Sequence, residues 1–496
     1  MKRFTSLLTV FVISAACSQD QPSPLAPKVS GPALAMSAGD GSDPSTGNYL
    51  VRFKGNGIPV DFALRVNAVG GQIIFAHAGV GIAAVSGLDQ ARADALAATS
   101  SIAAVDADAY TTVDEPGTLS DVADEGLASQ NNPALATGFA RQWNLRAISA
   151  PAAWAAGNLG SPTVRVGIID TGIDYLAPDL FNIVDLALSR SFLPSEDVKV
   201  QAIFPGANNI ADLHFHGTNV AAIVASNAFF RAGVTSKVKL VGLKVCTPGT
   251  SPNFQGSCPT SAVLGAILYA ADQGLDVINM SLGGTFNRRD GSARGGFGPS
   301  FIATINSVFN YAHRQGTTVV VAAGNGDPVT GLGIDLDHDG NAYNAYCNAP
   351  HVLCVSATAP TGGTFAAPQN VDALTPFSNY GRSAITVAAP GGNSPVFFVE
   401  EACSGFTVVT PFLVCRLRFF NPVTGQARQF SLGVAGTSQA SPHVAGLAAL
   451  IAGQVGHNPA QIAARISASA DQLGLGGNSQ PYGAGRINVA RAMGVN

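Results

Sequence analysis

The sequence predicts an α/β protein, a mostly parallel sheet layered between helices and preceded by a small α+β unit. Three observations carry that reading. From about Gln142 onward, short continuous apolar runs alternate with longer stretches of helical periodicity, the pattern of a parallel sheet buried on both faces. Ahead of it, residues 49–113 hold strand-like and helical stretches in the order βαββαβ. Charged residues make up only 12% of the chain and Gly is abundant, at 56 residues, which suits a tightly packed, loop-rich globular protein.

In chain order, Met1-Lys2-Arg3 gives a positive start, residues 7–13 are apolar, and Ser14-Ala15-Ala16 precede Cys17. Residues 1–17 are therefore expected to be an export signal. Residues 18–48, rich in Pro, Ser and Gly, are expected to be a disordered linker. In the 49–113 unit, Tyr49–Phe53, Gln72–His77, residues 80–86 and residues 102–105 read as strands; residues 60–69 and 89–98 read as helices. That order packs two helices on one face of an antiparallel sheet, a ferredoxin-like arrangement. The acidic stretch 114–141 has few large apolar residues and reads as an exposed linker.

The remaining 142–496 form the main domain. Strands are expected at 164–169, 238–245, 277–280, 318–322, 352–356 and 385–388, and helices near 217–226, 260–273, 299–315, 437–454 and 458–470. In such a sheet the functional site lies at the carboxyl ends of the strands.

Net charge is −4, without the basic stripe of a nucleic-acid binder. No apolar run reaches about 18 residues, so no spanning helix is expected. Cys17, following small residues, resembles the lipidated Cys of a bacterial lipoprotein signal, although Ser14 stands where such signals carry Leu. An ordinary cleaved signal is the alternative, and a lipid anchor is the one expected route to a membrane. The other six cysteines fall as sequence neighbours: Cys246 with Cys258, Cys347 with Cys354, Cys403 with Cys415. Sequence does not choose among the possible pairings. Local pairing is expected, each bridge contributing about 2.5–3 kcal/mol. No Cys-x-x-Cys spacing points to a metal. Disulfides imply an oxidising compartment, so a secreted or extracytoplasmic location is expected.

Asp170 ends the apolar run 166–169, and Gly172 permits the turn that follows. His216, in His-Gly-Thr, opens an apolar helix; His214 competes with it. Ser438, in Gly436-Thr437-Ser438, opens a longer one, where its backbone N–H faces whatever it attacks. Each has an ordinary alternative as a cap or turn residue. Together they supply a nucleophile, a base and a group that fixes the base's tautomer. Asn325, between Gly324 and Gly326 after a buried strand, can donate to an oxyanion, worth about 3 kcal/mol.

These segments, with Asp170-Thr171-Gly172-Ile173-Asp174, Ser281-Leu282-Gly283-Gly284, Ala322-Ala323-Gly324-Asn325-Gly326 and Gly436 to Gly446, resemble the subtilisin-like (subtilase) serine protease family, in family order, over about residues 142–494. The resemblance implies a subtilisin-like three-layer fold and an autoprocessed, secreted serine endopeptidase. It implies catalytic Asp170, His216 and Ser438, with Asn325 in the oxyanion hole. It makes 49–113 an inhibitory propeptide, with the maturation site in 114–141. Ser281, Leu282, Gly283 and Gly284 should line the substrate groove as a β-edge, and Ala322, Ala323 and Gly324 should form another pocket wall, leaving a roomy, apolar pocket. The family usually has His where Asn219 stands.

Polypeptide substrates and the protein's own propeptide are the expected partners, with no nucleic acid, and a monomer is expected. No cofactor is expected for catalysis. Asp335, Asp337 and Asp339 resemble a Ca²⁺ loop with Gly340 at its sixth place, but Tyr346 stands at the twelfth where an EF-hand has Glu, and a solvated acidic loop is the alternative. Rival readings are an acid peptidase of the same fold with a Glu base, a peptide ligase, and a catalytically inert surface-binding protein.

Overall fold

The computed structural model describes residues 47–55, 57–113, 117–118, 132–248, 256–287, 298–327, 330–337, 342–393, 397–402, 419–420, 427–428, 431–473 and 481–495. The expected signal with Cys17, nearly all of the linker after it, Asp339, and Cys403 with Cys415 lie outside these residues.

The small unit consists of β1 (Tyr49–Phe53), α1 (Phe62–Ala68), β2 (Gln72–His77), β3 (Ile82–Ser86), α2 (Gln90–Ala97) and β4 (Ile102–Ala107). Its antiparallel sheet runs β2-β3-β1-β4. Asp89 caps α2, its carboxylate accepting from Arg92 N at 2.8 Å, as a short acidic side chain does at a helix start. Phe62, Val66, Ala93 and Leu96 of the two helices pack with Val51, Phe53 and Val85. The other sheet face, through Leu50, Phe75, Ile82 and Ala84, joins the core of the main domain. Both faces are thus covered. That is why β3 is buried along its whole length and shows no polar alternation.

After β5 (Tyr110–Val113) and β6 (Gly117–Thr118), the main domain begins with α3 (Trp143–Ala147), α4 (Ala150–Ala155), β7 (Arg165–Asp170), β8 (Arg190–Ser191), α5 (Pro194–Ile203) and α6 (His216–Val224). It continues with β9 (Lys239–Lys244), β10 (Gly256–Pro259), α7 (Thr260–Asp272), β11 (Val277–Met280), β12 (Gly284–Asn287), α8 (Pro299–Arg314), β13 (Thr318–Ala322), β14 (Ala342–Ala345) and β15 (Val352–Ala359). Short strands β16 (Gly362–Gly363), β17 (Pro368–Gln369) and β18 (Ala373–Leu374) lead to β19 (Val387–Pro390), β20 (Val399–Ala402), β21 (Phe419–Phe420), β22 (Ala427–Arg428) and β23 (Ser431–Val434). Helices α9 (Thr437–Val455), α10 (Pro459–Ser469) and α11 (Val489–Ala492) close the chain.

Among the described residues, the central sheet has eight strands in the order β18-β15-β13-β11-β7-β9-β8, with β19 beside β15. All its pairings are parallel except β18 on β15. Val166 and Ile168 face α6 and α9; Ile169, Val241 and Ile278 face α7 and α8. Alternate side chains of each strand therefore feed two separate cores, giving the three-layer α/β architecture.

Two expectations change. The last residues of the small unit leave its sheet: β5 pairs antiparallel with β10 of the main domain. The stretch 114–141 is not simply exposed, since β6 pairs with β23, and Pro133 and Ala136 are buried. Sequence periodicity did not show these contacts because β-pairing of two to four residues leaves no repeat to read.

His443 of α9 is buried between helices. Its Nδ1 lies 2.7 Å from Gln439 O, and its Nε2 lies 2.9 Å from Asn144 Nδ2 of α3. Burial pushes its pKa down from 6.5 to about 4, so the neutral ring, donating from Nδ1 and accepting at Nε2, is the folded form. The unfolded chain takes up that proton more readily within this window, so stability should fall as pH falls from 6.5 to about 4. Thermal unfolding of a Ser438→Ala protein should show this slope, and His443→Gln should flatten it. Identical slopes would contradict the assignment.

Candidate functional site

The site is assembled at the carboxyl ends of β7 and β11. Asp170 is the last residue of β7 and His216 the first of α6, and both side chains are closed to solvent. His216 Nδ1 lies 2.7 Å from Asp170 Oδ1; Thr171 N donates to the same oxygen at 2.7 Å. The approach is possible because Gly217 has no side chain: a Cβ there would stand 2.1 Å from Gly172 O. Gly172 itself has φ +122°, a conformation that favours glycine. His214, the competing imidazole, instead stacks on Phe215 at 4.4 Å.

Behind this pair lies a residue the sequence reading passed over. Buried Asp212 accepts from Thr218 Oγ1 at 2.6 Å, Thr218 N at 3.0 Å, Thr171 Oγ1 at 3.0 Å and His214 N at 2.9 Å. Thr171 Oγ1 in turn accepts from Gly217 N at 2.9 Å. One carboxylate thus joins the turn after Asp170 to the helix that carries His216. Lys244, the last residue of β9 and opposite Asp170 of β7, is fully buried and donates to Ala211 O at 3.0 Å. Burial pulls its pKa down, while Glu196 and Asp212 hold it up.

Ser438 sits in the first turn of α9 and is 5% exposed; its hydroxyl donates to Ser281 O at 3.3 Å. Pro442, four residues on, has no N–H, which releases the Ser438 carbonyl from the helix ladder. Ser281 Oγ takes up that carbonyl at 2.8 Å. The serine is therefore anchored to the residue just after β11, while α9 packs against α6. Asn219, at the position where His was expected, accepts from Gln439 Nε2 at 3.2 Å and so ties these two helices together.

Asn325 Oδ1 accepts from Thr437 N at 2.8 Å and Thr437 Oγ1 at 2.9 Å. These bonds fix which end of the amide is oxygen and leave the NH₂ end as its donor. Gly324 N is held by Thr437 Oγ1 at 3.0 Å. The Ala323 carbonyl receives Asn344 Nδ2 at 2.5 Å and Asn379 Nδ2 at 2.8 Å. The expected wall of small residues is thus backed by two amides that the sequence reading did not single out.

Gly283 exchanges both backbone hydrogen bonds with Thr112, at 3.0 and 3.2 Å. On its other side β5 pairs with β10, Val113 opposite Gly256 and Thr111 opposite Cys258. A Cβ on Gly256 would stand 2.2 Å from Val113 Cγ2. The Cys246–Cys258 disulfide tethers β10 to the end of β9, and Cys347–Cys354 is also bridged. Leu282 is buried and Gly284 begins β12, which pairs with β14.

Among the described residues, no group of three His, Cys, Asp or Glu side chains is arranged to hold a metal ion. Asp335 Oδ1 accepts from Asp337 N at 3.0 Å. Burial pushes the Asp337 carboxyl up, but hydrogen bonds from Ser383 and from the Arg382 and Ala384 backbone together outweigh it and hold the pKa below its ordinary value. Ser383 N and Oγ reach both Asp337 oxygens, at 2.8 and 2.6 Å, so that carboxylate already serves protein donors.

The model of the Subtilase family matches residues 161–485. The chain belongs to the subtilase family. It is 30% identical to a thermophilic serine proteinase of Bacillus sp. (strain AK1), over 67% of this chain and 62% of that protein. It therefore spans about three-fifths of that relative's length. It is also 30% identical to thermitase of Thermoactinomyces vulgaris, over 71% of this chain and 96% of thermitase. Among solved structures, the epidermin leader peptide processing serine protease of Staphylococcus aureus has TM-score 0.63 at 20% identity, covering 90% of this chain and 98% of that one. Fervidolysin of Fervidobacterium pennivorans has TM-score 0.62 at 20% identity, covering 91% of this chain and 61% of its own. These two show the subtilisin-like fold.

The Asp212 network has a direct test. Asp212→Ala leaves the buried hydroxyls of Thr171 and Thr218 and the His214 and Thr218 N–H groups without their acceptor, so urea unfolding in a Ser438→Ala background should show a loss of about 3 kcal/mol. A loss below about 1 kcal/mol would show that the network does not hold the two segments together.

Proposed function

We propose that this protein is an extracytoplasmic serine endopeptidase, made as a zymogen whose N-terminal unit is its own inhibitor. The observation that carries the reading is the closed 2.7 Å contact between His216 and Asp170, set at the sheet end where Ser438 is anchored to Ser281. In this mechanism Asp170 holds the Nδ1–H of His216, which leaves Nε2 as the base. His216 takes the proton of Ser438 as Oγ attacks the peptide carbonyl. The Asn325 amide and the Ser438 N–H stabilise the oxyanion. His216 then protonates the leaving amine, and water releases the acyl group by the same route in reverse.

The substrate binds as a strand between Gly283 and β10, which suits a wide range of polypeptides because backbone bonds carry much of the affinity. The zymogen reading rests on three contacts. β5 occupies that strand position. Asp106 accepts from Ser300 Oγ at 2.9 Å in the first turn of α8. Asp108 accepts from Ser261 N at 3.0 Å at the start of α7, where negative charge is favoured. Location outside the cytoplasm is supported by the two disulfides and by the signal-like residues 1–17.

An organophosphonate should label the processed protein on Ser438, and Ser438→Ala should remove both labelling and peptide hydrolysis. Failure of the processed protein to label would support the inert binding-protein reading instead.

A further inference from the structure

We propose that Asn344 selects the substrate residue whose carbonyl Ser438 attacks, favouring a neutral side chain that ends in a hydrogen-bond donor, such as the carboxamide of Gln. The proposal rests on the peptidase reading above and names the substrate class of that same site.

Two walls of the cleft end at the reacting groups. Ser281, two residues before Gly283, accepts from the Ser438 hydroxyl at 3.3 Å. Gly324 precedes Asn325, the oxyanion donor of the proposed mechanism, and its N–H is held by Thr437 Oγ1 at 3.0 Å. A side chain that enters between Gly283 and Gly324 therefore belongs to the residue whose carbonyl lies at Ser438.

β14 stands behind both walls. It pairs with β12, Ala345 opposite Gly284 and Asn344 opposite Thr285. A Cβ on Gly324 would stand 3.3 Å from Asn344 Nδ2, and one on Gly283 would stand 3.9 Å from Asn344 Oδ1. The two wall glycines thus look onto one amide. Its backbone is pinned by Asn348: Asn344 N donates to Asn348 Oδ1 at 2.7 Å, and Asn348 N donates to Asn344 O at 3.0 Å. Its side chain is oriented by the Ala323 carbonyl, which receives Nδ2 at 2.5 Å; turned over, the amide would set oxygen against oxygen.

That orientation leaves Oδ1 over. Asn344 is closed to solvent while β5 lies on Gly283, and Oδ1 has no hydrogen-bond partner among the described residues. Asn379, the other amide on the Ala323 carbonyl, differs: its Oδ1 already accepts from Ile334 N at 2.8 Å. A buried amide oxygen without a donor is costly, and a substrate N–H that reaches it removes the cost. An apolar side chain of the same length leaves it unpaired, and a carboxylate faces it with a second acceptor. Gly283, Ala323, Gly324, Asn344 and Asn379 carry no charge, so a Lys ammonium buried there would lack a counter-ion. The pocket expected to be apolar thus carries one directed acceptor.

The test uses the processed protein and one peptide series, identical but for Gln, Met, Glu or Lys before the scissile bond. kcat/KM is read for each, and product masses place the cut. Gln should exceed each of the others by about tenfold or more. Asn344→Leu, close in shape but without an acceptor, should bring Gln below Met. That ratio is taken within one preparation, so loss of folded enzyme does not alter it. Asn344→Asp supplies a negative charge and should raise Lys over Gln by about tenfold relative to the unaltered protein. Met cut as well as Gln by the unaltered protein, or an unchanged Gln-to-Met ratio in Asn344→Leu, would overturn the assignment and leave the peptidase reading standing. If no peptide is cut and no phosphonate labels Ser438, both readings fall.

Discussion

A carboxylate and an imidazole 2.7 Å apart, both closed to water, are stable only where the surrounding backbone holds them in register. Moving either outward by an ångström would leave a buried charge or dipole without its partner, at a cost of several kcal/mol. Much of the architecture answers that demand. The parallel strand β7 delivers Asp170 at its carboxyl end. The side-chain-free positions 172 and 217 let the first turn of α6 close onto it. Asp212 bonds to both segments, and buried Lys244 stands in its field. The same sheet end presents Ser281, whose carbonyl and hydroxyl hold the serine of α9.

Backbone pairing does the rest. The edge at Gly283 and the edge of β10 stand on either side of one strand position, and the Cys246–Cys258 bridge holds the second of these near β9. A strand between them satisfies donors and acceptors on both sides, as β5 does through Thr112 and its ladder with β10; in the proposed function that guest position belongs to substrate. The N-terminal unit packs against the same region. Its sheet covers α7 and α8, its carboxylates meet their first turns, and its final strand fills the guest position.

The sequence made the fold legible where periodicity is strong. The apolar runs ending at Asp170 and Met280 and the long helix from Thr437 fall within a few residues of their expected places, because burial on both faces demands continuous apolar composition. The candidate Asp170, His216 and Ser438 stood out because each lies at an element end with a Gly one or two places away. Five features were not readable. Asp212 looks like any loop carboxylate, Asn344 and Asn379 act through space on a carbonyl, β10 has no periodic pattern, and β6 spans only two residues. Their roles depend on tertiary contact. Asn219 was legible as a departure, but its bond to Gln439 required knowing that α6 and α9 touch.

The account turns on Asp170 holding His216 in the tautomer that leaves Nε2 as base. Asp170→Asn, matured in trans and freed of the maturing enzyme, isolates that claim, since Asn keeps the size but presents the wrong hydrogen-bonding end. Steady-state hydrolysis of a peptide substrate should show kcat reduced by about 10⁴-fold with KM little changed. A kcat within about tenfold of wild type would contradict the account, because the buried pair would then be structural rather than catalytic.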